Sequence, residues 1–217
     1  MKKIALVLRG ISYLKDYTKN GSRKPVTIDF RMSVPSIQTF VIDQLKKEGF
    51  DVDVFLLTYV PPGVKENDHR EELVKYFNPK KIIFNAYDEN CSGPHCTWKI
   101  SSAFFAQAVD NVYTDPISEG YDFMFIMRFD MVFFTPVSSQ LFSDTAVTSL
   151  FPRDDSLFIV PTSLMKGFRN ACQSIFDSGV CLHEITNVLH HLKVPTQFFL
   201  KEFNGFDTGY FRVLNRP

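Results

Sequence analysis

Short apolar runs alternate with amphipathic segments along the 217-residue chain. The runs at 2–8, 51–59 and 80–87 are rich in branched residues, which is typical of strands buried in a sheet. After the first run, the residues 14–33 are polar and predict a loop. Apolar residues at helical spacing then predict a helix that has Pro35 in its first turn and stops at Gly49. Further helices are predicted at 66–77, near 98–113, at 163–176 and at 182–192, and further strands at 121–134, 155–161 and 196–200.

This order of elements predicts an α/β protein. Strands that alternate with helices are joined by crossover connections, so we expect a mostly parallel central sheet flanked by helices. The length fits one large domain or two small ones, and we expect a single domain, residues 1–217. We find no internal repeat and no low-complexity segment that would divide it.

The carboxyl ends of the predicted strands are where a ligand is expected. In open α/β sheets, ligands bind beyond the carboxyl ends of the strands, and parallel strands bring those ends to one edge. We therefore interpret the residues at these ends as candidate binding residues. They are Leu8, Arg9 and Gly10 in the first strand region, Thr58 and Tyr59 in the second, Asn85 and Asp88 in the third, and Arg128 and Asp130 in the fourth.

The fourth strand region, "YDFMFIMRFDMVFF" at 121–134, carries an arginine and an aspartate two positions apart. In an extended chain Arg128 and Asp130 share a face, because side chains alternate. Asp130 suits a hard divalent cation, and the planar fork of Arg128 suits phosphate oxygens. Together they indicate a diphosphate with Mg²⁺ or Mn²⁺. The alternative is a mutual ion pair at the strand end.

Several functional classes lack support in the chain. There is no GxGxxG, no GxxxxGK[ST] and no GxSxG, so familiar dinucleotide, P-loop and hydrolase motifs are missing. Lys plus Arg and Asp plus Glu number 24 each, so net charge gives no general attraction to nucleic acid or anionic membrane. The four cysteines are too few for a disulfide framework. No apolar run is long enough to span a membrane, and Arg9 interrupts the first one too early for a signal peptide, so we expect a cytoplasmic protein.

A diphosphate site without a glycine-rich loop favours a nucleotide-sugar enzyme, and short motifs in order support this. "KKIALVLRG", "EGFDVDVFLLTY", "YDFMFIMRFDMVF" and "DDSLFIVP" together resemble nucleotide-sugar glycosyltransferases of the GT-A fold. The third motif is similar to the acidic Asp-x-Asp motif of that family, in a variant Arg-x-Asp form. Within the family, the chain resembles N-terminal domains of multidomain capsid-glycan glycosyltransferases of large algal (chlorella) viruses.

The resemblance implies a UDP-sugar donor, Mn²⁺ or Mg²⁺, and a glycan acceptor on a viral capsid glycoprotein in the host cytoplasm. The sugar would be a hexose or a deoxyhexose such as rhamnose, with retention favoured over inversion. It implies a nucleotide-binding half at about 1–130 and an acceptor-side half at about 131–217. The end at "VLNRP", without a polar tail, suits a domain followed by others in a longer protein.

The resemblance also suggests individual roles. Arg128 replaces the first acid of the motif, so metal binding would depend on Asp130 and a second ligand, for which His183 and Asp207 are candidates. Asp155 and Asp154 are the candidates for a catalytic base or an acceptor contact, and Asp207 is a further catalytic candidate. Arg9, Thr58, Tyr59 and Asn85 would lie near the uridine.

Two other functions stay open from the residues. A nucleotidyltransferase would be expected to have a glycine-rich basic loop after the first strand, and "RGISYLKDYTKNGSRK" is basic enough to allow one. A non-catalytic carbohydrate-binding module would keep the fold and need neither a metal nor Asp130. An assay of donor hydrolysis distinguishes the two functions, because a binding module leaves the UDP-sugar intact.

Overall fold

The computed structural model describes residues 1–10, 12–17, 26–61, 63–85, 103, 105–113, 120–152, 155–200 and 211–213. The predictions for Asp88, Asp154, Asp207 and the loop 88–97 lie outside these residues. The strands are β1 (Lys3–Arg9), β2 (Tyr13–Tyr17), β3 (Val26–Asp29), β4 (Asp51–Tyr59), β5 (Lys81–Asn85), β6 (Phe123–Arg128), β7 (Met131–Phe133), β8 (Val147–Ser149), β9 (Leu157–Pro161), β10 (Thr196–Phe198) and β11 (Phe211–Val213).

The main helices follow the predicted amphipathic segments. The first, α1, runs through Val34–Ser36, a π-helical stretch Ile37–Ile42 and Asp43–Lys47. The others are α2 (Glu66–Phe77), α3 (105–113), α4 (Met165–Ser178) and α5 (Ile185–His191). Asn78 ends α2 and Gly179 ends α4, each in the left-handed conformation that commonly terminates helices.

A seven-stranded sheet forms the centre of the protein, with the order β10-β8-β9-β6-β1-β4-β5. β1 pairs in parallel with both β4 and β6, and the pairs β4–β5 and β8–β10 are also parallel. β9 runs antiparallel to β6 and β8. The predicted α/β class with a mostly parallel sheet is therefore confirmed.

The sheet is covered on both faces. Along β1, Ile4 and Leu6 join one apolar cluster with α1 and α2, while Ala5 and Val7 join another with α3, α4 and α5. All four side chains are buried. Because alternate residues point to opposite faces, a strand buried on both sides has a continuous apolar sequence. This is why the short runs were recognisable as strands.

The predicted loop at 14–33 is wrong within the described residues. β2 and β3 form an antiparallel hairpin there, and a short 3₁₀ turn, Phe30–Met32, leads into α1. A two-stranded hairpin satisfies its backbone hydrogen bonds between its own strands. It therefore does not need the apolar run by which the buried strands were recognised.

The single strand predicted at 121–134 is also wrong. β6 ends at Arg128, the residues 129–130 form a turn, and β7 then pairs antiparallel with β11. The Phe129 N–H donates to the Arg9 carbonyl at 3.0 Å, which ties the turn to the end of β1. Both sides of the break are apolar, so hydrophobicity alone does not reveal it.

Asp53 links three elements at the opposite edge of the sheet. Its Oδ2 atom accepts hydrogen bonds from Tyr121 Oη and Lys80 Nζ, each at 2.7 Å, and lies 3.1 Å from Lys3 Nζ. Burial raises the pKa of the Asp53 carboxyl, but the three donors more than offset this, so the pKa lies below its ordinary value. The ionised carboxylate is therefore a stabilising group.

We expect Asp53→Asn to lower the free energy of unfolding by about 1.5–3 kcal/mol at pH 7, as for hydrogen bonds to a charged group. Because the pKa of Asp53 is depressed in the folded protein, the stabilisation by its carboxylate is present above the ordinary pKa of 3.8. This stabilisation is lost as the pH falls through the pKa that Asp53 has in the folded protein. Urea denaturation at pH 7 and pH 3 measures it. The control is Asp144→Asn, whose side chain is 69% exposed beside Lys2, and which we expect to cost less than about 1 kcal/mol. Equal losses in the two variants would contradict the prediction.

Candidate functional site

The order in which the chain adds strands to the sheet reverses at β1. From β1 the chain proceeds outward to β4 and β5, and it then returns to place β6 on the other side of β1. Such a switch point opens a crevice beyond the carboxyl ends of the two central strands. Arg9, the last residue of β1, lies in register with Arg128, the last residue of β6. Two arginines therefore stand side by side where a ligand is expected.

Arg128 and Asp130 form a two-pronged ion pair. Arg128 Nε donates to Asp130 Oδ1 at 2.7 Å, and the second nitrogen, Nη2, donates to Oδ2 at 2.6 Å. Both carboxylate oxygens thus accept from one guanidinium, which is the strong geometry for this pair. The side chain of Asp130 is only 8% exposed. The mutual ion pair left open by the sequence is the arrangement in this structure.

Asp155 lies on the other side of the Arg128 guanidinium. Its Oδ2 atom is 3.5 Å from Arg128 Nη1, and its Oδ1 atom is 3.6 Å from His183 Nε2. Arg9 donates through Nη2 to the backbone carbonyl of Asp155, and its guanidinium lies 4.6 Å from the ring centre of Phe105. Arg128 therefore stands between two carboxylates, and Arg9 supports the backbone of the second.

The environment of Asp155 favours its charged form. Burial raises the pKa of this carboxyl, but the charges of Arg128, Arg9 and His183 lower it by more than burial raises it. The pKa therefore lies below its ordinary value. A general base at neutral pH needs the opposite, a pKa raised toward 7. Asp155 is thus suited to hold positive groups in place.

A buried hydroxyl–imidazole chain lies beside the carboxyl ends of β1 and β4, and sequence reasoning missed it. Thr58 Oγ1 donates to Ser12 Oγ at 2.7 Å, and Ser12 Oγ lies 2.8 Å from His69 Nε2. Burial lowers the pKa of His69, which favours the neutral imidazole that can accept from Ser12. His69 shares a face of α2 with Leu73 and Phe77, four and eight residues on, and this spacing was the available signal.

The other predicted residues lie at the same edge in different settings. Leu8 is fully buried and packs in the core. Gly10 has a φ of 106°, a backbone conformation that residues with L side chains rarely adopt. Its N–H donates to the Leu57 carbonyl. Tyr59 is buried and pairs in register with Asn85. Asn85 Nδ2 donates to Gln107 Oε1 of α3 at 2.6 Å.

Two serines at the start of α1 hold the turn that carries Asp130. Ser33 Oγ lies 2.5 Å from the Phe129 carbonyl oxygen and 2.8 Å from the Phe30 carbonyl oxygen. Its hydroxyl can therefore donate to either carbonyl. Ser36 Oγ accepts from the Phe133 N–H at 3.1 Å. The sequence predicts only the start of a helix at these residues. Their contact with the turn could not be predicted, because that segment lies about a hundred residues away in the chain.

The structure does not gather a set of metal ligands in the part of the chain that it describes. No group of three His, Cys, Asp or Glu side chains is arranged to hold a metal ion there. His183, one predicted ligand, has its Nδ1 atom 2.8 Å from Cys181 Sγ and its Nε2 atom facing Asp155. Asp130, the other, gives both oxygens to Arg128. In this arrangement the two residues do not form a metal site.

Among the helices of the described ranges, none combines the length and apolar character needed to cross a membrane.

Comparisons with known proteins found similarity in structure and not in sequence. No protein-family model matches the chain. No curated protein matches it either. Two solved structures of Drosophila β1,4-galactosyltransferase 7 are similar over 100% of this chain and 72% of theirs. One, a mutant in complex with manganese, UDP-Gal and xylobiose, is 10% identical with a TM-score of 0.45. The other, a catalytic domain in complex with xylobiose, is 11% identical with a TM-score of 0.46.

Proposed function

We propose that this protein is a glycosyltransferase that uses a UDP-sugar as donor. The observation that carries the proposal is the pair of arginines, Arg9 and Arg128, with two buried carboxylates at the switch point of the sheet. Guanidinium groups suit phosphate oxygens, and a ligand of an α/β sheet binds at this edge. The Arg-x-Asp motif at this edge, with its resemblance to the GT-A family, favours a sugar nucleotide over other diphosphates.

Each residue of the site has a role in the proposed reaction. Arg128 would bind the diphosphate and stabilise the negative charge that develops as the nucleoside diphosphate leaves. Asp155 would hold the two arginines and contact the acceptor. Its lowered pKa argues against a base role, and a retaining reaction, which we favour, needs no strong base at that position. Asp154 remains a prediction for the base or an acceptor contact, and Asp207 remains a prediction for a further catalytic residue or a metal ligand.

A divalent cation, Mn²⁺ or Mg²⁺, remains part of the proposal as a partner of the donor. When bound, it would act as a Lewis acid on the diphosphate. Asp130 and His183 are its predicted ligands, but the arrangement described above does not fit a cation as it stands. The proposed roles of Arg9, Arg128 and Asp155 in holding the donor do not depend on it.

Binding of UDP tests the proposal. We expect calorimetry to show UDP binding to the wild type that Mn²⁺ strengthens, and we expect Asp130→Ala to lose about tenfold in affinity for UDP, since Arg128 loses the carboxylate that holds its guanidinium in place. Asp144→Ala, an exposed carboxylate at the opposite edge, is the matched control and should bind as the wild type does. Failure of the wild type to bind UDP with or without Mn²⁺ would overturn the proposal.

Turnover of the donor distinguishes an enzyme from a binding module. We expect slow release of UDP from UDP-glucose or a UDP-deoxyhexose such as UDP-rhamnose, because glycosyltransferases transfer to water when the acceptor is absent. A protein that binds UDP but leaves these donors intact would be a binding module. The sugar, the capsid-glycan acceptor and any further domains of a longer protein are finer parts of the same proposal, which acceptor screening would test.

A further inference from the structure

His69 is a buried imidazole to which the proposed reaction assigns no role. It contacts the segment that follows β1, at the edge of the sheet where the candidate site lies. Ser12 Oγ lies 2.8 Å from His69 Nε2, and the ring centres of Phe30 and Phe84 lie 5.9 and 5.8 Å from that of the imidazole. Ser12 is 1% exposed and His69 is 3% exposed. A substrate therefore cannot reach this pair as it would reach a catalytic serine and its base, so any effect of His69 on the site is transmitted by its neighbours.

The hydrogen bonds around Ser12 fit a neutral imidazole. The Ser12 N–H donates to Thr58 Oγ1 at 3.2 Å, and the Thr58 hydroxyl donates to Ser12 Oγ at 2.7 Å. The Ser12 hydroxyl then has His69 Nε2 as its acceptor, so the three hydrogens of these groups have three acceptors. A proton added at Nε2 turns the last acceptor into a donor. One buried hydrogen of these groups then loses its acceptor, which costs the desolvation of that group.

Two contacts lead from Ser12 and the imidazole to the turn that follows β6. The Ser12 carbonyl accepts from the Phe30 N–H at 2.7 Å, and Ser33 Oγ lies within hydrogen-bonding distance of the carbonyl oxygens of both Phe30 and Phe129. The Phe30 ring also packs edge-on against the imidazole and against the Phe129 ring, with centre distances of 5.9 and 6.4 Å. Phe129 directly follows the last residue of β6. The segment after β1 and this turn are therefore parts of one packed unit.

We propose that His69 is a positioning residue that responds to pH: its neutral imidazole holds Ser12 and, through Phe30, the turn at the candidate site, and its protonation loosens both. This inference rests on the proposed function, because it assigns a regulation by pH to the same donor site. The donor binds tightly near neutral pH and more weakly in mild acid.

The surroundings of His69 favour its neutral form. Burial lowers the pKa of His69 below its ordinary value of 6.5. Glu72, on α2, favours the charged imidazole, and Arg31, in the 3₁₀ turn before α1, opposes it. These two side chains pair with each other at 3.3 Å, whereas Phe84 of β5 and Ser12 carry no charge. Because the pKa is lowered in the folded protein, stability is lost as the pH falls from 6.5 to the folded value, and the imidazole gains its proton in that range.

The pH profile of UDP binding tests the role of His69. We expect the affinity for UDP, measured by calorimetry without metal, to fall about tenfold more between pH 7.5 and pH 5 in the wild type than in His69→Gln, a coupling within the usual range. Glutamine does not titrate, and its amide oxygen gives Ser12 an acceptor at both pH values. Titration of UDP and of the other histidines is common to both proteins and cancels in the comparison.

His190→Gln is the matched control, because this histidine is exposed at the end of α5. It should keep the pH profile of the wild type. A histidine with a merely structural role would change the stability of His69→Gln and leave the pH profile of UDP binding unchanged. Equal profiles for the wild type and a folded His69→Gln would therefore overturn the proposal.

Nuclear magnetic resonance follows the same change without a ligand. In the wild type, we expect the amide signals of Ser12, Phe30 and Phe129 to move with the same midpoint as the His69 imidazole, below pH 6.5. A Phe129 signal that does not follow the imidazole would overturn the proposal, even if His69→Gln does not fold. The outcomes also separate the two inferences. A wild type that binds no UDP at either pH contradicts the proposed function, and the resonance titration still decides whether His69 holds the turn.

Discussion

Replacement of Asp155 by asparagine is expected to lower the free energy of unfolding by about 3–5 kcal/mol at pH 7, the usual cost of removing one partner from a buried ion pair. Asparagine keeps the shape of the side chain but removes its charge. Arg128 then loses its second carboxylate, and the buried guanidinium of Arg9 loses the nearby negative charge. The buried cluster would thereby gain one positive charge, although Arg128 would keep its ion pair with Asp130. Urea denaturation followed by circular dichroism measures the loss.

The pH dependence of this loss has a definite sign. The pKa of Asp155 is depressed in the folded protein, so its contribution is complete above the ordinary value of 3.8 and declines as the pH falls through the folded value. The difference between wild type and variant should therefore be constant from pH 5 to 8 and shrink in acid, as linkage requires for a carboxylate of about this pKa.

The matched control for Asp155 is another aspartate paired with an arginine. Asp110 Oδ1 lies 2.5 Å from Arg169 Nε, but both side chains are more than a third exposed. Asp110→Asn should therefore cost less than about 1 kcal/mol, as exposed ion pairs do. Equal costs for the two substitutions would mean that Asp155 does not act as a buried counter-charge.

Replacement of Phe168 by alanine is expected to cost about 3–5 kcal/mol, the range for a phenylalanine removed from a core. Phe168 is fully buried in α4, and its ring centre lies 5.6 Å from that of Phe158 and 5.9 Å from that of Phe105. The backbone of α4 and β9 cannot collapse far, because both are held by other contacts. The loss of packing should therefore leave a cavity.

This aromatic cluster also supports the site, because the Phe105 ring carries the Arg9 guanidinium. We expect UDP binding to weaken in Phe168→Ala at temperatures where the protein is still folded. Phe134→Ala is the control: this side chain is 46% exposed, and its loss should change stability by less than about 0.5 kcal/mol. A similar small change for Phe168 would show that the cluster is not tightly packed. Thermal unfolding of the three proteins provides the comparison.

Hydrophobic pattern determined much of the fold. β1, β4 and α2 were predicted within a residue of their observed bounds, because strands buried on both faces and a helix with one buried face have distinct apolar periods. The location of the candidate site also followed from sequence, since strand ends in a parallel sheet must lie at one edge. Arg9 and Arg128 lie in register at this edge.

Contacts between distant segments were decided only by the tertiary structure. Whether Asp130 faces a ligand or Arg128 depends on the turn after β6, which Ser33 holds from far away in the chain. The approach of Asp155 to Arg128 depends on β9 running antiparallel to β6. The apolar pattern of a strand is the same in either direction, so it does not encode that choice. Local sequence thus determined which segments are buried, and long-range packing determined which charges meet.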